Sequence, residues 1–138
     1  MAMSAFTDAE LAYLLDQPLG RIATSQPNGT LQVSPVGFHH NADLDTIDVS
    51  GHGMATSRKY LNVADNGRVA FVVDDLGSVK PWRPRCVEIR GRAETIDDSS
   101  AGPLIRIYPE RIISFGVDEP FTSPRDFALN ARDVPQGD

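Results

Sequence analysis

The chain has 138 residues, of which 41% are hydrophobic and 23% charged, a composition that fits one globular domain with a thin core rather than a disordered segment. Lysine and arginine number 13 against 19 acidic residues, a formal net charge of −6; this argues against a nucleic-acid binder but leaves room for one local basic pocket. Cys86 is the lone cysteine, which excludes an intrachain disulfide and a cysteine metal cluster.

From the N-terminus, Met1 to Glu10 shows neither a basic region nor an apolar run, so no secretory signal is expected and the cytoplasm is the expected compartment. Thr7-Asp8-Ala9-Glu10 has the pattern of a capping box, and Phe6 with Leu11 forms a hydrophobic staple. Leu11, Leu14 and Leu15 are expected to share the buried face of a short helix that Pro18 ends. Leu19 to Ser25 reads as a strand, Pro27-Asn28-Gly29 as a turn, and Thr30 to Phe38 as the antiparallel partner. Pro35 cannot donate to a ladder, so an edge or a bulge is expected there. His39 and His40, adjacent on a strand, would face opposite ways, which argues against a shared metal.

Thr46 to Ser50 is the next strand. After Gly51-His52-Gly53 the period changes to that of a helix carrying Tyr60, Leu61 and Ala64, capped by Thr56 or Ser57 and closed at Asn66-Gly67. Arg68 to Asp74 reads as a central strand. Its run Val69 to Val73 is far too short to span a bilayer. Arg85 to Thr95 alternates, with Val87, Ile89, Gly91 and Ala93 on one face and Glu88, Arg90, Arg92 and Glu94 on the other, a solvated face of paired charges. Leu104 to Tyr108 and Arg111 to Phe115 are expected to be two strands around Pro109, and the polar tail from Asp118 to be loosely ordered. Six or seven short strands with two small helices predict a single mainly β domain, a closed or nearly closed antiparallel barrel.

The stretch richest in chemistry is Ser50-Gly51-His52-Gly53 followed by Thr56-Ser57-Arg58-Lys59. Four helix N-terminal amides, one or two hydroxyls, a guanidinium and an ammonium are expected to converge there, as an anion site requires. Cations in a first helical turn are otherwise disfavoured, and such a broken local rule marks a suspected functional site. The plain alternative is that Ser57 only caps and both cations are solvated.

Thr56-Ser57-Arg58-Lys59, the helix after it, and Asp65-Asn66-Gly67-Arg68-Val69-Ala70-Phe71-Val72-Val73 resemble the pyridoxamine-5′-phosphate-oxidase-like superfamily, with the likeness running from Phe6 to about Gly116. Val33-Ser34-Pro35-Val36-Gly37-Phe38, Gly51-His52 and Pro81-Trp82-Arg83-Pro84-Arg85 are similar to one branch of it. That branch holds small actinobacterial reductases expected to use coenzyme F420, a deazaflavin, and includes late-stage reductases of tetracycline-type antibiotic pathways. The resemblance implies a split β-barrel like that of FMN-binding proteins, working as a homodimer with two cofactors at the subunit interface. It places Ser57, Arg58 and Lys59 on the cofactor phosphate, backbone groups of Ser34, Pro35 and Val36 on the tricyclic ring, and Ser50, Gly51 and His52 along the ribityl chain. It brings Trp82, Arg83 and Arg85 from the partner subunit. Read without the resemblance, Trp82 is a core or dimer-contact aromatic, and His52 a turn residue bonded to its own backbone.

Two departures bear on the substrate. Pyridoxamine phosphate oxidases end in a segment bearing tryptophan and arginine that grips the substrate phosphate, whereas this chain ends Asp126-Phe127-Ala128-Leu129-Asn130-Ala131-Arg132 and on to Asp138. Cys86 stands where those oxidases carry a polar amide near the ring. The resemblance implies hydride transfer from reduced deazaflavin to a small unsaturated organic substrate, such as an enone. No side chain of the sequence stands out as the proton donor; Tyr60 and His39 are the candidates to test. An FMN-binding oxidoreductase of the same fold and a non-catalytic flavin or F420 binder are the alternatives. No nucleic-acid or membrane partner is expected.

Overall fold

The computed structural model describes residues 3–117 and 128–137. Helix α1 (Asp8–Asp16) opens on the expected capping box, in which Thr7 accepts from the Glu10 amide and Glu10 accepts from the Thr7 amide. It buries Glu10, Tyr13 and Leu14. Leu15 is the exception to the expected face: one residue, about 100°, beyond Leu14, it is 90% exposed.

Strands β1 (Gly20–Ser25) and β2 (Leu31–Asn41) form a hairpin through the expected turn, where Gly29 takes φ 89°. β3 (Thr46–Ser50) follows, then helix α2 (Arg58–Asn66), which Gly67 ends at φ 69°. The chain continues through β4 (Arg68–Leu76), β5 (Pro84–Ile96), β6 (Leu104–Phe115) and β7 (Asn130–Asp133). The sheet order is β3-β2-β1-β4-β5-β6-β7, and a further antiparallel pairing of β3 with β6 closes the first six strands into a barrel. The predicted mainly β barrel is thus the architecture found. Ile22, Ile47, Phe71, Val73, Val87, Ile89, Ile105, Ile107 and Ile112 fill its interior. These β-branched and aromatic side chains suit a pleated, half-buried surface.

Two expectations are corrected. Residues 104–115 are one strand rather than two, because Pro109 sits opposite Gly91 beside a register shift and the bulge absorbs its missing N–H. At Gly91 a Cβ would lie 2.1 Å from the Tyr108 carbonyl oxygen, so only glycine fits that crossing. The tail expected to be loose is ordered over Asn130–Asp133, which pairs antiparallel with Arg111–Ser114 as an edge strand; residues 118–127 lie outside the described residues. Among the described residues, no helix is long and apolar enough to cross a membrane.

The helices sit at opposite ends of the inner strands. α2 bonds to the finishing end of β1, through Asn62 to Thr24 and Asn66 to the Ser25 carbonyl. α1 bonds to the finishing end of β4, through Tyr13 and Gln17 to Asp75.

Candidate functional site

β3 ends at Ser50, which pairs with Gly37 on one side and Leu104 on the other. The chain leaves the barrel there through exposed Gly51, His52 and Gly53, and Gly53 adopts φ 67°. A single 3₁₀ turn over Met54–Thr56, anchored by buried Met54, delivers Ser57 as the N-cap of α2.

The hydroxyl of Ser57 is occupied by this capping role. It donates to the Met54 carbonyl at 2.7 Å and accepts from the Tyr60 amide at 3.3 Å. Thr56 donates its hydroxyl to the Gly53 carbonyl, and the Thr56 and Ser57 amides bond to the Gly53 and Met54 carbonyls. The expected convergence of four amides and one or two hydroxyls is therefore smaller among the described residues. A helix start leaves amides without intrahelical acceptors, and those of Arg58 and Lys59 remain without one among the described residues. Neither side chain has a bonding partner among the described residues; Arg58 is exposed and Lys59 half-buried. Two amides and two cations at a helix start supply the donors and the charge that an anion would need.

The neighbouring strand edge is open. Among the described residues, β2 pairs with β3 only from Gly37 onward, so Leu31–Val36 has a ladder with β1 alone. Pro35 lies within that edge, in register with Arg21 and without a bulge. The Ser34 hydroxyl is buried with no hydrogen-bond partner among the described residues. Val36 is buried, whereas Leu31, Val33, Pro35, Gly37 and His39 alternate outward. A Cβ built at Gly37 or Gly51 would meet nothing within 4 Å among the described residues, which leave the corner between the open edge and the exit turn clear.

Trp82, Arg83 and Arg85 belong to a second locus at the β4–β5 connection. β4 starts beside α2 and runs nine residues away from it, about 30 Å of extended chain, so this connection leaves the far end of the strand. The Gly77 amide bonds to the Arg83 carbonyl, the Arg83 amide to the Ser78 carbonyl, and the Ser78 hydroxyl to the Pro81 carbonyl around a cis Lys80–Pro81 bond. Trp82 is exposed on it. Arg85 binds Asp75 side-on, Nε to Oδ1 at 2.8 Å and Nη2 to Oδ2 at 2.5 Å, and its guanidinium lies 5.1 Å from the centre of the Tyr13 ring. Arg85 holds the Asp75 carboxyl below its ordinary value against the smaller effect of burial, with Tyr13 and Gln17 also donating to it. Burial and the Asp75 carboxylate push the Tyr13 phenol upward, so Tyr13 keeps its proton and stays a donor. Sequence reading missed Tyr13, Gln17 and Asp75; the available signal was the opposite charges of Asp75 and Arg85, which stand directly across the β4–β5 register.

The two candidate proton donors lie on different elements. Tyr60 is on α2, half-buried and packed against the core. His39 is exposed on a groove of about 260 Å³ between α1 and β2, walled by Leu11, Leu14, Leu15 and Phe38. His40 also lines this groove and binds Asp45 at 2.7 Å. Burial, then Glu88 and Asp74, push the Cys86 thiol up to about 11, so it stays protonated at neutral pH.

Comparison with known proteins adds to this geometry. Residues 6–129 match the family described as pyridoxamine 5′-phosphate oxidase. A 5a,11a-dehydrotetracycline/5a,11a-dehydrooxytetracycline reductase of Streptomyces rimosus is 37% identical over 136 residues, covering 94% of this chain and 93% of its own length. Among solved structures, the FAD-binding protein of Mycobacterium smegmatis superposes with a TM-score of 0.58 at 24% identity, covering 79% of this chain and 93% of its own. An F420 reductase superposes with a TM-score of 0.55 at 23% identity, covering 70% and 90%. These two structural likenesses are likenesses of fold.

Proposed function

The chain belongs to the pyridoxamine 5′-phosphate oxidase family, and on that premise we propose that it is a cytoplasmic F420-dependent reductase. It transfers hydride to the electron-poor double bond of a small unsaturated carbonyl compound, and it works as a homodimer. The observation that carries this reading is the 37% identity, sustained over nearly both full lengths, to a reductase of dehydrotetracyclines.

The residues present fit a phosphate-bearing tricyclic cofactor. The amides and cations of Arg58 and Lys59 would hold the phosphate, with Ser57 setting the helix start rather than donating its hydroxyl. Ser50, Gly51 and His52 would line the sugar-alcohol chain across the clear corner. The open edge at Ser34, Pro35 and Val36 would offer backbone groups to the ring. Reduced deazaflavin supplies hydride when bound; the protein supplies orientation and electrostatics. F420 is favoured over FMN by the Val33–Phe38 and Pro81–Arg85 segments and by Cys86 in place of an amide. A phosphorylated pyridoxamine substrate is disfavoured, since Arg132 in the C-terminal strand is bound to Glu10.

The dimer is supported by the outer face of the barrel. Val33, Ala23 and Ala70 stand in one cross-strand row, and Val33 is 68% exposed. Such a continuous apolar patch suits a second copy of the chain. That copy would also bring Trp82, Arg83 and Arg85, which stand far along β4 from α2, to the cofactor of its neighbour.

The test is parallel calorimetric titration with F420 and with FMN, followed by oxidation of reduced F420 in the presence of 2-cyclohexen-1-one. Tighter F420 binding and enone-dependent oxidation support the reading. Tighter FMN binding moves the chain to the flavin oxidoreductases, and F420 binding without turnover makes it a carrier.

A further inference from the structure

We propose that Arg85, brought to the cofactor of the neighbouring copy, is the oxyanion receptor there, binding the carbonyl oxygen of the unsaturated substrate as that oxygen takes on negative charge. This rests on the reading above that an unsaturated carbonyl compound is reduced here. Its evidence is separate, namely how the structure holds one guanidinium.

A guanidinium has five N–H donors arranged along its edges. Asp75 takes two of them, from Nε and Nη2. The remaining N–H of Nη2 and both of Nη1 have no partner among the described residues, so one complete edge of the fork is left. The side chain is still 31% exposed. Everything around it fixes its position. Tyr13 covers one face of the guanidinium, and the Tyr13 hydroxyl and Gln17 amide bond to the same Asp75 carboxylate at 2.8 and 3.2 Å. The stem runs past two glycines: a Cβ at Gly77 would lie 3.5 Å from Arg85 Cδ, and one at Gly116 would lie 3.4 Å from Arg85 Cγ. A surface ion pair kept only for stability needs none of this enclosure. A donor edge held rigid before the reaction is what stabilises developing charge at little reorganisation cost.

Reduced F420, when bound, would supply the hydride that forms a C–H bond at the β-carbon of the enone. The π pair of the C=C moves to join the α- and carbonyl carbons, and the carbonyl π pair becomes the charge on oxygen. The substrate is reduced by two electrons and the deazaflavin oxidised by two. Arg85 bonds to the enolate oxygen, and water then protonates the α-carbon. Asp75 and Tyr13 are positioning residues, since they act through Arg85. The phosphate of the cofactor is the other oxyanion this fork could take, and the experiment separates the two.

The probe is 4-nitrophenol, whose coloured phenolate mimics the enolate, titrated by absorbance into the dimer with and without oxidised F420. Wild type is expected to bind phenolate roughly tenfold to a hundredfold more tightly than R85Q. D75N should lose a smaller factor, with any loss of F420 affinity in either variant well below its loss of phenolate affinity and thermal melting reporting that both fold. In turnover of 2-cyclohexen-1-one, R85A should lose kcat rather than gain KM, and millimolar guanidinium but not ammonium should restore it. Equal phenolate affinity in wild type and R85Q would overturn the proposal. So would weaker F420 binding by R85Q with phenolate unaffected, which would assign the fork to the cofactor phosphate. Absence of F420 binding by wild type would instead refute the functional reading, and the phenolate titration of the unloaded protein would still decide Arg85.

Discussion

Arg132 grips the carboxylate of Glu10 from 122 residues away, Nη2 to Oε1 at 2.6 Å and Nη1 to Oε2 at 3.0 Å. Glu10 is wholly buried and also closes the capping box of α1, while the Ser114 hydroxyl donates to it at 2.5 Å and Arg132 donates to the Ala5 carbonyl at 2.7 Å. One carboxylate thus ties the first helix to β6 and to the last strand. Removing Arg132 leaves a buried charge without its partner. Arg132→Ala should therefore cost roughly 3 kcal/mol of stability, the low end for a buried pair because Arg132 reaches solvent. Glu10→Gln, which keeps the shape, should cost less, and a double-mutant cycle followed by chemical denaturation should show strong coupling between the two.

The same carboxylate sets an acid limit. Burial alone would raise the Glu10 carboxyl, but the bonds from Arg132, Ser114 and the Thr7 amide outweigh it and hold it below its ordinary 4.5. Asp48 behaves alike: burial opposes, and Arg106, Asn41 and Thr46 prevail to hold it below 3.8. A carboxyl depressed in the folded state adds stability that is complete above its unfolded value and is lost as pH falls toward the folded one. Stability should therefore not fall on account of these groups between pH 7 and about 5, and should decline below about 4.5. In Glu10→Gln the part of that acid loss due to Glu10 should vanish, as melting temperatures across pH would show.

Much of this fold could be read along the chain. The Thr7–Glu10 box, the Ser57 cap, the Gly67 stop and the inward set of β5 are local, decided by residues within a few positions of one another. What escaped reading depends on distant partners. Asn130–Asp133 is short and polar, and it becomes a strand because β6 offers it an edge and Glu10 holds its arginine. Pro109 looked like a break because the bulge that accommodates it is set by Gly91 on another strand. At the site, the cations at Arg58 and Lys59 were legible. The spending of both hydroxyls on the 3₁₀ turn was not, since it follows from the backbone path after Gly53.

Two glycines should separate stability from binding. Gly91→Ala drives a Cβ to within 2.1 Å of the Tyr108 carbonyl oxygen, and should cost about 1–3 kcal/mol as the bulge shifts. Gly51→Ala meets nothing within 4 Å and should leave melting unchanged, yet it should weaken F420 binding if the corner beside the open edge holds the cofactor. Melting and titration of both variants check the pair.

The outer apolar row predicts an interface. Val33→Glu puts a charge into the row with Ala23 and Ala70 and should yield a folded monomer by light scattering, with circular dichroism unchanged. A wild-type monomer at micromolar concentration with F420 present would remove the dimer.

Whether the start of α2 holds the cofactor phosphate is decided by titrating F420 into Arg58→Ala while melting the same variant without cofactor. Loss of a charge-assisted, fork-shaped contact should weaken binding roughly tenfold to a hundredfold. Lys59→Ala should lose somewhat less, because an ammonium lacks the fork. The unloaded melting temperature should hold or rise slightly, since a cation leaves a helix N-terminus. Unchanged F420 affinity in both variants would contradict the account.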